Sequence, residues 1–143
     1  MSSMYQFLLT QVGKPLFNSP SPFMRWLLPV LKSIDEQTIS FQYTIRDEMT
    51  NPAGKLHGGV IAGIIDDATG AMLFILHSGS NYVTMSNTVH YYEEAKAGEV
   101  VYAVPQIIRK GNTIVYMECC IYKKETDLLL AKGSSTVFIQ SKK

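Results

Sequence analysis

The stretch that decides the fold reads NPAGKLHGG at residues 51–59 and continues into the apolar run VIAGIID at residues 60–66. It places the Asn51 amide, the His57 imidazole and the N–H groups of Gly58 and Gly59 at the predicted start of a helix. It also places the Asp66 carboxylate farther along that helix. Helix N-termini stabilise negative charge, and a carboxylate on a mostly apolar helix needs a polar partner or a task. Together these groups indicate an oxyanion site with a base or nucleophile, as acyl transfer requires.

Around this stretch, the hydrophobic pattern predicts one long buried helix and an antiparallel sheet. Apolar residues recur at helical spacing over about 57–77, and the pattern changes to alternation after it. The predicted elements are short helices at 3–12 and 22–31, a strand at 38–47, the central helix, and strands at 82–93, 99–109, 112–124 and 128–140. One strand, one buried helix and then a meander of four strands is an α+β arrangement. We expect a single domain over 1–143, with a helical extension over 1–34.

Composition narrows the function classes. The chain has 143 residues, of which 46% are hydrophobic and 17% charged, and its formal net charge is +1. The low charged fraction favours an oligomer, and the near-neutral charge gives no indication of a nucleic-acid partner. No apolar run is expected to reach membrane-spanning length. Cys119 and Cys120 are adjacent, so they would point to opposite faces of a strand, and a reduced, cytoplasmic setting is expected.

Four motifs carry a family resemblance: NPAGKLHGG at 51–59, IIDDATG at 64–70, HYYEEAKAGE at 90–99 and RKGNT at 109–113. Over about residues 35–140 the chain resembles the hotdog-fold acyl-CoA thioesterases of the phenylacetate-pathway, PaaI-like group. The resemblance implies an antiparallel sheet wrapped around a central helix. It also implies edge-to-edge pairing of two subunits with the active site between them. A homodimer is expected at minimum, with dimers pairing into a homotetramer.

The same resemblance implies roles for individual residues. Asp66 matches the helix acid that activates water or attacks the thioester, and Asn51 matches the amide that positions the nucleophile or water. Gly58 matches the N–H that polarises the carbonyl, His57 shapes the same pocket, and Thr84 falls near the acid from the partner. The residues implied to bind substrate, with the turn lying along the CoA chain, are Gly59, Arg109, Lys110, Gly111 and Asn112. Coenzyme A is part of the substrate, and no separate cofactor or metal is implied.

Several readings stay open at the level of sequence. Asp67 doubles the acid, although adjacent helical residues lie about 100° apart and both cannot face one pocket. Asp66 could instead be a structural partner of a neighbouring strand, and Asn51 could merely form a turn. Burial is expected to raise the pKa of Asp66 towards neutrality. The leading function is hydrolysis of small to medium acyl-CoA thioesters. The alternatives are a non-catalytic acyl-CoA or acyl-carrier binding protein, a hotdog hydratase and a structural oligomer.

Overall fold

The computed structural model describes residues 2–140, which form three helices, one short 3-10 helix and six strands. The helices are α1 (Ser3–Leu9), α2 (Pro22–Leu27) and α3 (Gly58–Leu76), with the 3-10 turn at Asp47–Met49. The strands are β1 (Val30–Ile34), β2 (Ile39–Thr44), β3 (Asn81–Tyr91), β4 (Val100–Lys110), β5 (Ile114–Lys123) and β6 (Leu129–Gln140).

The six strands form one antiparallel sheet in the order β1-β2-β4-β5-β6-β3. Helix α3 packs against β3, β4, β5 and β6, so the sheet wraps the helix as the hotdog resemblance implies. The predicted α+β hotdog architecture is confirmed. The β4–β5 and β5–β6 hairpins also form where the two predicted turns place them.

Two details of the prediction are wrong. The second helix stops at Leu27 because Leu28 adopts a left-handed conformation with φ of 52°, and β1 begins at Val30. Residues 1–34 are therefore not a purely helical extension, since their last five residues form an edge of the sheet. The last four strands are not a simple meander either, because β3 pairs with β6 and leaves β4 to pair with β2.

Helix α3 supplies the centre of the core. Its buried residues are Ile61, Ile64, Ile65, Ala68, Thr69, Met72, Leu73 and Ile75. By length and composition this 19-residue helix, with a mean hydropathy of 1.7, could span a membrane, so the expectation that no apolar run is long enough is wrong. In the fold its apolar face lies against the sheet, while the opposite face carries Gly63, Asp66 and Gly70.

Candidate active site

The start of α3 leaves one free backbone donor. His57 is the N-cap, and its Nδ1 accepts a hydrogen bond from the Gly59 N–H at 2.9 Å. The N–H groups of Val60 and Ile61 both donate to the His57 carbonyl oxygen at 3.0 Å. Within residues 2–140, the Gly58 N–H has no hydrogen-bond acceptor. The first turn of α3 therefore presents the Gly58 N–H, at the positive end of the helix dipole, to an incoming anion.

The same cap fixes the state of the histidine ring. Because Nδ1 of His57 accepts, a neutral ring carries its proton on Nε2, where it can donate to a ligand. A Cβ at residue 59 would lie 3.1 Å from Nδ1, so glycine leaves room for the ring to fold back. The Gly59 N–H thus holds the His57 ring by donating a hydrogen bond to it. The structure gives Gly59 no free donor with which to bind substrate directly.

Asn51 lies in a tight loop beside the helix start. Its Oδ1 accepts from the N–H groups of Ala53 and Lys55 at 3.0 and 3.1 Å, which is the turn that sequence reasoning kept as an alternative. The β-bridge between Thr50 and Leu56 closes the loop, and the His57 N–H donates to the Met49 carbonyl oxygen at 2.8 Å. The half-buried Asn51 amide oxygen is therefore structural, which leaves the amide NH₂ as its group for a ligand.

Asp66 lies on the open face of α3 and is held by Thr84. The Thr84 hydroxyl donates to Asp66 Oδ1 at 2.8 Å, and both side chains are exposed. The expectation that Asp66 is buried is wrong for this chain. The acid that Thr84 contacts is the acid of its own chain, whereas the resemblance implied one from the partner.

A β-bulge brings Thr84 to that acid. The register of β3 against β6 shifts between Thr84 and Ser86. Tyr91 and Asn87 point towards α3, and regular alternation would continue this series at Met85. Because of the bulge, Thr84 points towards α3 instead of Met85. Three strand residues consequently contact α3 along three successive turns, with Tyr91 at Gly58, Asn87 at Ala62 and Thr84 at Asp66.

Tyr91 lies at the start of α3 and was not singled out by the sequence analysis. Its hydroxyl donates to the Gly58 carbonyl oxygen at 3.0 Å. Its ring lies 3.4 Å from the position of a Cβ at residue 58. Tyr91 therefore fixes the peptide that carries the free N–H. The sequence offers two adjacent tyrosines, and only the strand register tells which of them faces the helix.

Asp67 faces a different environment from Asp66. Its Oδ2 and the hydroxyl of the fully buried Tyr43 are both enclosed without a hydrogen-bond partner within residues 2–140. Burial, and secondarily the charge of Asp66, raise the pKa of Asp67 to about 6. Burial and the nearby Asp67 carboxylate raise the pKa of Tyr43 as well. The enclosed acid of the adjacent pair is thus Asp67.

The implied CoA-binding turn lies at the other end of α3. Arg109 and Lys110 end β4 and are exposed, and Gly111 and Asn112 form the turn into β5. Burial and the charge of Lys110 lower the pKa of His77, the C-cap of α3. Because α3 has 19 residues, its two ends are ~28 Å apart. One chain does not bring this turn together with its own helix start.

Asp66 and Gly58 are also separated within one chain. They are eight positions apart along the helix, a rise of ~12 Å. An oxyanion donor must lie about 3 Å from the oxygen that it stabilises, and the base must reach the attacking atom on the same carbon. One chain therefore supplies both groups of an acyl-transfer site but does not assemble them.

Comparison with known proteins identifies the family of this chain. The family profile of the thioesterase superfamily matches residues 53–130, which includes the whole of α3 and the β3–β5 strands. The chain belongs to the thioesterase superfamily. The activity that this family implies for the chain is thioester hydrolysis.

Individual relatives of this thioesterase-superfamily chain cover nearly all of it. Acyl-coenzyme A thioesterase 13 of Mus musculus is 31% identical over 137 residues, spanning 95% of this chain and 96% of the relative. The crystal structure of thioesterase superfamily member 2 from Mus musculus superposes with a TM-score of 0.75 at 27% identity, over 96% of this chain and 98% of that one. A hypothetical thioesterase from Streptococcus pneumoniae, solved with coenzyme A, shares the fold with a TM-score of 0.72 at 19% identity, over 79% of this chain and 86% of that one.

Proposed function

We propose that this chain hydrolyses acyl-CoA thioesters at a site completed by two copies of itself. One copy contributes Asp66 with Thr84, and the other contributes Gly58 with Asn51 and His57. The observation that carries the proposal is that the chain presents one exposed, hydrogen-bonded acid, Asp66, and one free helix-start donor, the Gly58 N–H. They lie ~12 Å apart along a single helix, so a second copy must bring them together. The name of the mouse relative and the coenzyme A bound by the streptococcal structure support CoA as the thiol of the substrate.

The proposed chemistry needs only these groups. The thioester carbonyl oxygen accepts from the Gly58 N–H, with the Nε2–H of His57 as a second donor, and both bonds strengthen as negative charge develops. A water oxygen attacks the carbonyl carbon while Asp66 takes its proton, or the Asp66 carboxylate attacks first and water then releases the acyl group. The carbon–sulfur bond breaks, the CoA thiolate leaves and takes a proton, and the free acid remains. The NH₂ group of Asn51 orients the attacking atom. CoA enters as part of the substrate, and the proposed reaction uses no other cofactor.

The edge of the sheet supports the pairing of two copies. Strand β3 is 11 residues long and bonds to β6 on one side only within residues 2–140. It exposes Val83 and Met85 to 48% and 62%. A long, open edge that carries no Asp, Glu, Lys or Arg is a template for another strand. A two-fold axis through Thr88, with the bulge between Thr84 and Ser86 allowed for, would place Thr84, which holds Asp66, opposite the second copy's Tyr91, which holds Gly58. This register would join the two half-sites twice in one dimer, and pairing of dimers would give the proposed homotetramer.

The first test separates the two adjacent acids. Asp66→Asn should lower turnover of acyl-CoA by at least two orders of magnitude while the oligomer persists, because it removes the base or nucleophile. Asp67→Asn should cost far less, because Asp67 faces Tyr43 rather than Thr84. Release of free CoA, followed with a thiol reagent on a panel of acyl-CoAs, measures both. An inactive Asp67→Asn together with an active Asp66→Asn would show that the acids are assigned the wrong way round. Binding of acyl-CoA without turnover by the parent chain would favour the non-catalytic alternative.

The second test asks whether the site is shared. Asp66→Asn and Asn51→Ala should each be inactive alone. After co-refolding of the two variants in equal amounts, half of the dimers are mixed, and each mixed dimer has one intact site. About one quarter of the parent activity should therefore return. No recovery, with mixed dimers demonstrated by mass spectrometry, would show that each site lies within one chain. An active monomer in light scattering at micromolar concentration would show the same.

A further inference from the structure

An aromatic side chain takes the place of the side chain missing at Gly63. A Cβ built at Gly63 would lie only 2.7 Å from Cζ of Phe23 and 3.1 Å from its Cε2. The ring of Phe23, on α2, therefore rests directly on the backbone of α3. It is nevertheless 44% exposed, so one side of the ring contacts the helix and the other side is open.

Trp26 extends this open aromatic surface and is held in place. The rings of Phe23 and Trp26 stack with centroids 6.1 Å apart and planes 14° apart, and Trp26 is 40% exposed. The guanidinium of Arg46, the residue before the 3-10 helix, lies 5.2 Å from the centre of the Trp26 ring. Its Nη2 donates to the Trp26 carbonyl oxygen and its Nε donates to Glu48. The α2 helix is further fixed by the Ser21 cap, whose hydroxyl accepts from the Met24 N–H at 3.2 Å.

This surface lies next to the exposed acid. Gly63 and Asp66 are three residues apart on α3, so they are neighbours on one helix face, with a rise of ~4.5 Å between them. The ring on Gly63 is therefore about one helical turn from the Asp66 carboxylate. Thr84 approaches Asp66 from β3, while Phe23 approaches the same face from α2. An acyl group whose thioester carbon is at Asp66 has this aromatic surface beside it.

From this adjacency we infer that Phe23 and Trp26 form the binding wall for the acyl group and select apolar acyl chains long enough to pass one turn of α3. The inference rests on the proposed function and adds the substrate class and two specificity-determining residues. An acetyl group ends at the acid and does not reach the wall. An octanoyl chain runs across it and removes apolar surface of both partners from water.

Trp26 is the only tryptophan in the sequence, so tryptophan fluorescence directly reports binding at this surface. The test uses the wild-type oligomer with S-octyl-CoA, S-methyl-CoA and free CoA, thioethers and thiol that cannot be hydrolysed. S-octyl-CoA should shift the emission of Trp26 to shorter wavelength on binding, and S-methyl-CoA and CoA should not. Binding of S-octyl-CoA measured by calorimetry without any change in Trp26 emission would overturn the inference.

A matched pair of glycine variants tests selectivity. Gly63→Ala must displace the Phe23 ring, whereas a Cβ at Gly70, on the same face beyond Asp66, meets no atom within 4 Å. The ratio of kcat/KM for octanoyl-CoA to that for acetyl-CoA should fall about tenfold in Gly63→Ala, the fold-change that about two buried methylenes supply. Gly70→Ala should keep the parent ratio. An unchanged ratio in Gly63→Ala, or equal changes in both variants, would overturn the inference and leave the proposed function intact. A parent that neither hydrolyses nor binds any acyl-CoA would instead defeat the proposed function, and the inference with it.

Discussion

Asn in place of Asp67 should stabilise the fold at neutral pH. Burial raises the pKa of Asp67 from an ordinary value of 3.8 to about 6, and Oδ2 has no hydrogen-bond partner among the described residues. A carboxyl group whose pKa is higher in the folded state binds its proton more tightly there than in the unfolded chain. Its contribution to stability is therefore full below pH 3.8 and is lost as the pH rises through 6. Above that window the fold carries a buried negative charge without a partner.

The size of the effect follows from the shift. About two pKa units correspond to ~3 kcal/mol of differential stability, and ~2 kcal/mol remains after allowance for the part of the carboxyl that water reaches. Asn has nearly the same shape and no charge, so Asp67→Asn should gain this amount at pH 7.5. For a domain of this size the gain corresponds to a rise in Tm of roughly 5–10 °C.

Urea denaturation at fixed protein concentration, at pH 7.5 and at pH 4, measures the difference. The gain should be present at pH 7.5 and largely absent at pH 4, where the parent carboxyl is protonated in the fold. Glu125→Gln, which neutralises an exposed acid on the β5–β6 turn, is the matched control and should change stability little at either pH. A destabilised Asp67→Asn at pH 7.5, or a gain of equal size at both pH values, would refute the argument from a buried unpaired charge.

Two further predictions concern binding and positioning. Replacing both Arg109 and Lys110 with Ala should raise KM for acyl-CoA several-fold with little change in kcat, because phosphate contacts stabilise the ground and transition states equally. The increase in KM should become smaller as the salt concentration rises. An unchanged KM at low salt would show that the two residues only form a solvated turn. Tyr91→Phe removes the hydroxyl that donates to the Gly58 carbonyl oxygen, worth ~1 kcal/mol, and should lower kcat about fivefold with KM unchanged. A loss of thermal stability in Tyr91→Phe with kcat intact would make that bond structural only.

The sequence was sufficient for the architecture because its two periodicities are strong. The central helix was predicted to within one residue at each end, since Gly58 to Leu76 keeps helical spacing throughout and His57 caps it. The four later strands alternate and are separated by turns, so their limits were also close. What was missed depends on a single residue in an unusual conformation. Leu28 adopts a left-handed backbone conformation that ends α2, and no hydrophobic pattern predicts that β1 follows.

The candidate residues were found by motif, but their environments were not. A 3.6-residue period places Asp66 and Asp67 on different faces, yet it does not tell which face the sheet covers at that turn. The structure exposes Asp66, which was expected to be buried, and encloses Asp67 beside Tyr43. Thr84 meets Asp66 only because of a bulge, a feature set by pairing with a strand about fifty residues later. Such long-range register is not readable from local sequence.

The separation of Asp66 from Gly58 links the proposed active site to the proposed dimer edge. A helix can present its positive end to an oxyanion only at its first turn, and a base at that turn would compete with the anion for the same donor. Placing Asp66 two turns later avoids that competition, but the acid is then ~12 Å away, too far to act with its own helix start. In the proposed dimer, a second copy paired through β3 in antiparallel sense would bring an acid to each helix start without bending the helix. On this proposal the chemistry requires the open, uncharged edge of β3, because charged side chains there would oppose pairing and leave each half-site without its partner.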